Sequence, residues 1–303
     1  MPAILSYVGS FLAGYTVLVI SFYMVSIVVP RAAFVARSLA SYLSLVICSL
    51  YGVAASIALR LLGYHQLAQW TVARSFKWVM GLTTGVTFDV EDPNGYLDKT
   101  RPAVFIGNHQ TELDVLMLGC MFPKYCSVTA KASLKKVPFL GWFMALSGSI
   151  FINRSNSQDA RSAMRGAAEE IRNKRQSVYM FPEGTRSYSK EPMLLPFKKG
   201  AFHLAVQAQV PIVPVVVANY SHVLWIKGMV FKSGRIPCKV LEPISTIGLT
   251  AADVDELTRS TRELMLKELV ALTEKARRQP VSQARDSQAN GVSNTAPKMK
   301  VAA

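Results

Sequence analysis

The chain has 303 residues, 50% of them hydrophobic, and a formal net charge of +15. Such apolar content, with a mean hydropathy of +0.25, argues against an ordinary soluble protein and for one globular domain joined to membrane-embedded sequence. The basic balance suits nucleic acid or an anionic membrane surface, and the absence of zinc-finger spacing or a long basic run leaves the membrane as the better reading.

Residues 4–29 carry no charge and end at Pro30-Arg31. At about 1.5 Å per helical residue they can cross a hydrocarbon core of about 30 Å. With no basic stretch before it, and longer than a signal-peptide core, this segment reads as a retained anchor. A second uncharged stretch, residues 38–59, is interrupted by Ser41, Ser44, Ser49, Gly52 and Ser56; it either spans or dips into one leaflet. Arg31 and Arg37 lie between the two stretches, and Arg60, Arg74 and Lys77 follow the second. Placing both groups on the cytosolic side requires one span plus a helix that does not cross. Trp70, Phe76 and Trp78, interleaved with Arg74 and Lys77, read as an interfacial segment, so residues 1–82 form the expected membrane anchor.

From residue 83 the pattern alternates. Short β-branched runs at 103–106, 127–129, 149–152, 177–181 and 212–218 predict strands, with a later one at 236–241. Helical patterns lie between them, clearest at 159–175. This alternation predicts an α/β domain with a mostly parallel, buried sheet over 83–278. Thr250 and Asp253 can cap a helix running to Arg278. Residues 279–303 are polar and predict a disordered tail. Internal repeats are absent, and Cys48, Cys120, Cys126 and Cys238 lack metal or disulfide spacing, so reduced and mostly buried thiols are expected.

Two polar signatures stand out in this apolar setting. Asn-His-Gln-Thr-Glu-Leu-Asp occupies 108–114, directly after a predicted strand. His109 is a candidate base and Asp114 the carboxylate that orients it. On one ideal helix, residues five apart point about 140° away from each other, so the pair requires His109 in a loop and Asp114 in the first helical turn. The alternative is a capping box in which Thr111 and Asp114 only start a helix. His65, His203 and His222 have no visible partner and read as surface or packing residues.

Phe-Pro-Glu-Gly-Thr-Arg-Ser occupies 181–187, after another predicted strand. Gly184 permits close backbone approach, and Thr185, Arg186 and Ser187 suit an anion. Gly-Ser-Ile-Phe-Ile-Asn-Arg at 148–154 delivers Arg154 to a strand end in the same manner. Two such arginines can grip a phosphate with paired N–H donors. Glu183 would position the arginines or an acceptor hydroxyl; its alternative is an ion pair at the strand end. A base beside an anion clamp is what moving an acyl group onto a phosphorylated alcohol requires.

The order of these motifs resembles the glycerolipid acyltransferases, most closely the 1-acyl-glycerol-3-phosphate acyltransferases of the eukaryotic endoplasmic reticulum. The resemblance runs from about residue 81 to 242. It implies that His109 and Asp114 are catalytic and that Arg154, Glu183, Gly184, Thr185 and Arg186 line the glycerol-phosphate site. Lys131 matches a recurring lysine near the acceptor. Pro-Phe-Lys-Lys-Gly at 196–200 resembles a basic segment after the phosphate block. Val-Pro-Ile-Val-Pro at 210–214 matches a fourth block, in which Pro211 and Pro214 would shape an acyl-binding wall; the alternative is an edge of the core sheet. Glu112 is unusually acidic for its motif position.

The implied reaction moves a fatty acyl group from acyl-CoA to the sn-2 hydroxyl of lysophosphatidic acid, making phosphatidic acid for phospholipid and triacylglycerol synthesis. His109 would take the hydroxyl proton, with backbone N–H groups near the loop holding the oxyanion. No Gly-x-Ser-x-Gly elbow and no cysteine beside the base points to an acyl-enzyme. No metal and no cofactor beyond the co-substrate acyl-CoA is expected. The implied partners are membrane lipids, not nucleic acid, and the implied place is the endoplasmic reticulum membrane, facing the cytosol, or lipid droplets. The rival readings are another acceptor, such as glycerol-3-phosphate or a larger lysophospholipid, or a non-catalytic membrane scaffold keeping the fold.

Overall fold

A computed structural model of the chain describes residues 2–153 and 157–278. Arg154 and the tail at 279–303 lie outside the described residues. Helices α1 (Pro2–Val25), α2 (Ala32–Leu61) and α3 (Ala68–Thr84) come first. Then follow β1 (Val86–Glu91), α4 (Tyr96–Lys99), β2 (Val104–Gly107), α5 (Asp114–Met121), β3 (Cys126–Lys131) and α6 (Leu140–Leu146). The second half holds β4 (Ile150–Ile152), α7 (Ser157–Lys174), β5 (Ser177–Met180), α8 (Gly200–Ala208) and β6 (Ile212–Val217). A small antiparallel hairpin, β7 (Leu224–Trp225) and β8 (Val230–Phe231), precedes β9 (Gly234–Val240) and α9 (Val254–Arg278).

Seven strands form one sheet in the order β1-β9-β6-β2-β5-β3-β4, parallel throughout except between β6 and β9. This is the α/β domain that the alternation predicted. The central strands are apolar on both faces because helices cover both. Phe105, Tyr179, Val213, Val215 and Val217 pack under α3, α5 and α6. Their strand neighbours Val104, Ile106, Val178, Ile212 and Val216 pack under α7, α8 and α9. Burying one such large side chain stabilises the fold by about 1.5–3 kcal/mol relative to leaving it in water. Thr250 caps the 3-10 turn Ala251–Asp253 that leads directly into α9, through a reciprocal pair with Asp253. All four cysteines are free, and three are buried.

The edge strand β1 was not foreseen. It alternates buried Val86 and Phe88 with exposed Thr87 and Asp89, and it pairs with β9 rather than with a sequence neighbour. The first apolar segment is helical only to Val25, where the chain turns before α2. Among the described residues, α2 is the one helix long and apolar enough to cross a membrane; the apolar stretch Gly9–Val25 is shorter.

Three of the small residues that interrupt the second apolar stretch, Ser44, Gly52 and Ser56, fall on a packing stripe. Ala32, Ala36, Ala40, Ser44, Cys48, Gly52 and Ser56 recur every four residues and are buried. A Cβ at Gly52 would lie 2.7 Å from the Phe143 ring. Both ends of α2 are tied to the globular domain. Arg37 donates to Thr84 O and Phe231 O, and Arg60 donates to Leu146 O. Arg74 caps the end of α5 through Gly119, Cys120 and Phe122 carbonyls. Of the aromatic residues in α3, Phe76 faces the core while Trp78 is exposed.

Candidate active site

The carboxyl ends of β2, β3, β4, β5 and β6 share one edge of the sheet, which is where α/β folds place reactive groups. β2 ends at Gly107, which must be glycine because a side chain there would overlap the Tyr179 hydroxyl. Asn108 then anchors the loop: its side-chain amide donates to Val217 O at 3.0 Å and accepts from Val217 N at 2.9 Å. Gln110 donates to Val217 O and Ala218 O. The loop between β2 and α5 is thereby fastened to the end of β6.

His109 lies in that loop and Asp114 opens α5. His109 Nδ1 is 2.6 Å from Asp114 Oδ2. The same oxygen accepts from Gln110 N at 2.7 Å and from Thr111 N at 3.2 Å. The other oxygen, Oδ1, accepts from the Tyr220 hydroxyl at 2.7 Å. The pair geometry and the capping geometry therefore coexist, because one carboxylate serves both. Asp114 is 2% exposed, yet its charge is fully solvated by these donors. The Tyr220 hydroxyl is held well above its usual pKa, by burial first and by the Asp114 charge second, so it remains a donor. The imidazole stacks on Phe181, with centroids 4.1 Å apart and planes 19° apart, and its side chain keeps 18% exposure.

The loop after β5 lies alongside. Ser187 N donates to His109 O at 3.0 Å and Tyr188 N to Gln110 O at 3.1 Å. Gly184 turns the chain at φ +71°, with room for a Cβ only at 3.0 Å from the Lys198 side chain. Glu183, expected to position the arginines or the acceptor hydroxyl, is instead a buried strut. Its Oε1 accepts from His109 N at 2.7 Å and its Oε2 from Leu195 N at 2.8 Å. Burial pushes its carboxyl above the usual range, while these two N–H donors pull the other way. Arg186 is half-buried and meets Glu112 Oε1 at 3.0 Å. Thr185 is exposed.

Other expected residues are scattered. Lys131 ends β3 on the same edge, two strands from β2, and is exposed. Pro211 precedes β6 and accepts from Val104 N, at the opposite edge from His109. Pro214 pairs with Ile106 inside the sheet, in an interior strand and not an edge. The N–H groups of His109, Gln110 and Thr111 already donate to carboxylates, so the expected oxyanion donors are not among them. Nothing in the sequence marks Tyr220 or Tyr188 as site partners, and Phe181 and Glu112 stand in the two motifs without a partner that the sequence assigns. The only local signal for Tyr220 is its place just past the end of β6. A cavity of about 430 Å³ adjoins the loop, lined by Gln110, Thr111, Tyr188, Tyr220 and Trp225. A larger hollow, about 510 Å³, lies away from His109 between α1, α2 and α3. Among the described residues no group of three His, Cys, Asp or Glu side chains could hold a metal.

Comparison with known proteins places the chain in a class. Residues 88–218 match the family model described as Acyltransferase, and the chain is an acyltransferase. It is 46% identical over 242 residues to the 1-acyl-sn-glycerol-3-phosphate acyltransferase of Saccharomyces cerevisiae, covering 80% of this chain and 79% of that one. It is 44% identical over 196 residues to the human 1-acyl-sn-glycerol-3-phosphate acyltransferase beta, covering 65% and 68%. The chain belongs to the 1-acyl-sn-glycerol-3-phosphate acyltransferase family. Its fold matches the crystal structure of the 1-acyl-sn-glycerophosphate (LPA) acyltransferase PlsC from Thermotoga maritima with a TM-score of 0.64 at 22% identity, over 82% of this chain and 96% of that one.

Proposed function

We propose that the protein transfers a fatty acyl group from acyl-CoA to the free hydroxyl of 1-acyl-glycerol-3-phosphate, making phosphatidic acid. The observation that carries this reading is the His109–Asp114 pair at 2.6 Å, held beside the loop that bears Arg186. Asp114 takes the Nδ1 proton of His109 as a hydrogen bond, which leaves Nε2 basic. Nε2 accepts the acceptor hydroxyl's proton as its oxygen attacks the thioester carbonyl. The tetrahedral intermediate then expels the CoA thiolate, which leaves with the proton from Nε2. Phe181 keeps the ring in plane and dry on one side. Arg186, with Arg154, Gly184 and Thr185, takes the acceptor phosphate, and Lys131 adds positive charge along the same edge. No bound cofactor takes part in these steps.

The catalytic domain, 83–278, lies at the cytosolic surface of the endoplasmic reticulum membrane. Residues 1–82 hold it there, with the uncharged stretch 4–29 read as the crossing segment and its N-terminus lumenal, although α2 is the longer apolar helix. The ties at both ends of α2 support a second helix that lies along the domain instead of crossing. CoA is charged and does not cross a bilayer readily, so a base that meets both CoA and a lipid hydroxyl belongs on the cytosolic face.

The test is an acceptor panel with purified protein, acyl-CoA and detection of released CoA thiol. 1-Acyl-glycerol-3-phosphate should outpace glycerol-3-phosphate and lysophosphatidylcholine. Preference for either of those would refute the acceptor assignment, and no turnover with any would favour the scaffold.

A further inference from the structure

We propose that Glu112 is a built-in anionic occupant of Arg186, which an arriving phosphate displaces, and that it thereby sets the apparent affinity for the phosphorylated acceptor. The proposal rests on the reading that Arg186 receives that phosphate.

Arg186 is not vacant. Its Nη1 lies 3.0 Å from Glu112 Oε1 and 3.2 Å from the Tyr188 hydroxyl. The Tyr188 hydroxyl in turn donates to the same Oε1 at 2.7 Å. Burial first, and the bond to Glu112 second, hold the Tyr188 hydroxyl above its usual pKa, so it keeps the proton it donates. Everything converges on one carboxylate oxygen and one guanidinium nitrogen.

The other halves of both groups are idle. Glu112 Oε2 and Arg186 Nε are buried and have no hydrogen-bond partner among the described residues. A guanidinium paired in its preferred forked manner would engage two nitrogens with two oxygens. The observed pair uses one of each and leaves Nε wanting an acceptor. A phosphate, with three oxygens, can satisfy Nη1 and Nε together, which the carboxylate as placed does not. Glu112 also has a way out. Its side chain is 46% exposed and can rotate into water, where a carboxylate is well solvated.

Position strengthens the case. Glu112 is three residues from His109 and two from Asp114, in the loop that Ser187 and Tyr188 hold by backbone bonds. The occupant therefore belongs to the catalytic loop itself, and the clamp stays neutralised until an acceptor arrives.

Kinetics on the full chain decide the matter. A partly exposed ion pair of this kind is weak, so Glu112→Gln should lower KM for 1-acyl-glycerol-3-phosphate by about three- to fivefold. It should tighten inhibition by inorganic phosphate by the same factor and leave KM for acyl-CoA unchanged, acting on KM rather than kcat. Tyr188→Phe removes only a tether and should give a smaller shift in the same direction. A Glu112→Gln variant in which acceptor KM and phosphate inhibition stay put or weaken would overturn the proposal, since Glu112 would then be idle or would position Arg186 productively. Arg186→Ala separates the two levels. If it raises acceptor KM while Glu112→Gln changes nothing, only the occupant idea fails. If Arg186→Ala leaves acceptor KM alone, the phosphate is not at Arg186 and both fall.

Discussion

Tyr220 and Asp114, 106 residues apart in the chain, meet through a hydroxyl–carboxylate hydrogen bond of 2.7 Å. The bond fixes the carboxylate from the side opposite His109. It makes the dyad a three-residue array, with Tyr220 acting through Asp114. Tyr220→Phe should keep the fold and lower kcat about tenfold, because a hydrogen bond to a charged group is worth about 1.5–3 kcal/mol. KM for both substrates should hardly move. Steady-state kinetics with a melting curve check this, and an unchanged kcat would show that Asp114 needs no second anchor.

His109→Ala should cost about 10²–10⁴-fold in turnover while the protein stays folded and membrane-bound, the usual range for losing a general base. Turnover close to wild type in this variant would sink the mechanism.

Glu183 yields a prediction about pH. Burial raises its folded pKa above the ordinary 4.5, so the folded protein binds this proton more readily than the unfolded chain does. A raised folded pKa contributes stability that is present below the unfolded value and lost as pH rises through the folded one. Glu183→Gln removes that dependence but turns an amide N–H toward a backbone donor. The variant should therefore melt lower near neutral pH, by about 1–3 kcal/mol for one unpaired buried donor. Its deficit relative to wild type should widen as pH falls from neutral towards 4.5, because wild type recovers stability there. Melting curves in detergent across that range, showing a deficit that shrinks instead, would contradict the burial argument.

Arg186→Ala should raise acceptor KM, and lysine should restore it only partly, because the planar fork is lost. KM for acyl-CoA should change less. Collapse of donor binding with acceptor binding intact would mean the two subsites are reversed.

Topology can be settled on sealed vesicles. A tag after Ala303 should be digested without detergent, and one before Met1 should be protected. Digestion of both would mean that α1 returns to the cytosolic leaflet beside α2, and protection of the C-terminal tag would place the site in the lumen.

Several of these features are legible along the chain itself. Short, continuously apolar runs separated by helical patterns announce a buried parallel sheet, because its strands are covered on both faces. Residues 108–114 contain both the proposed base and its carboxylate within five positions, so for the two to meet, one must stand in the loop and the other in the first helical turn. Other features depend on strand order. The parallel sheet brings Glu183 under the His109 backbone across 74 residues and Tyr220 onto Asp114 across 106. No pattern of neighbours encodes either meeting. The same pairing sends Pro211 to the edge opposite His109, although its block follows the others in sequence. Ser44 and Gly52, which help make residues 38–59 look like a poor membrane span, are explained only by α3 and Phe143 packed against them. A helix needs small residues where another element approaches closely, and which element approaches is a property of the fold.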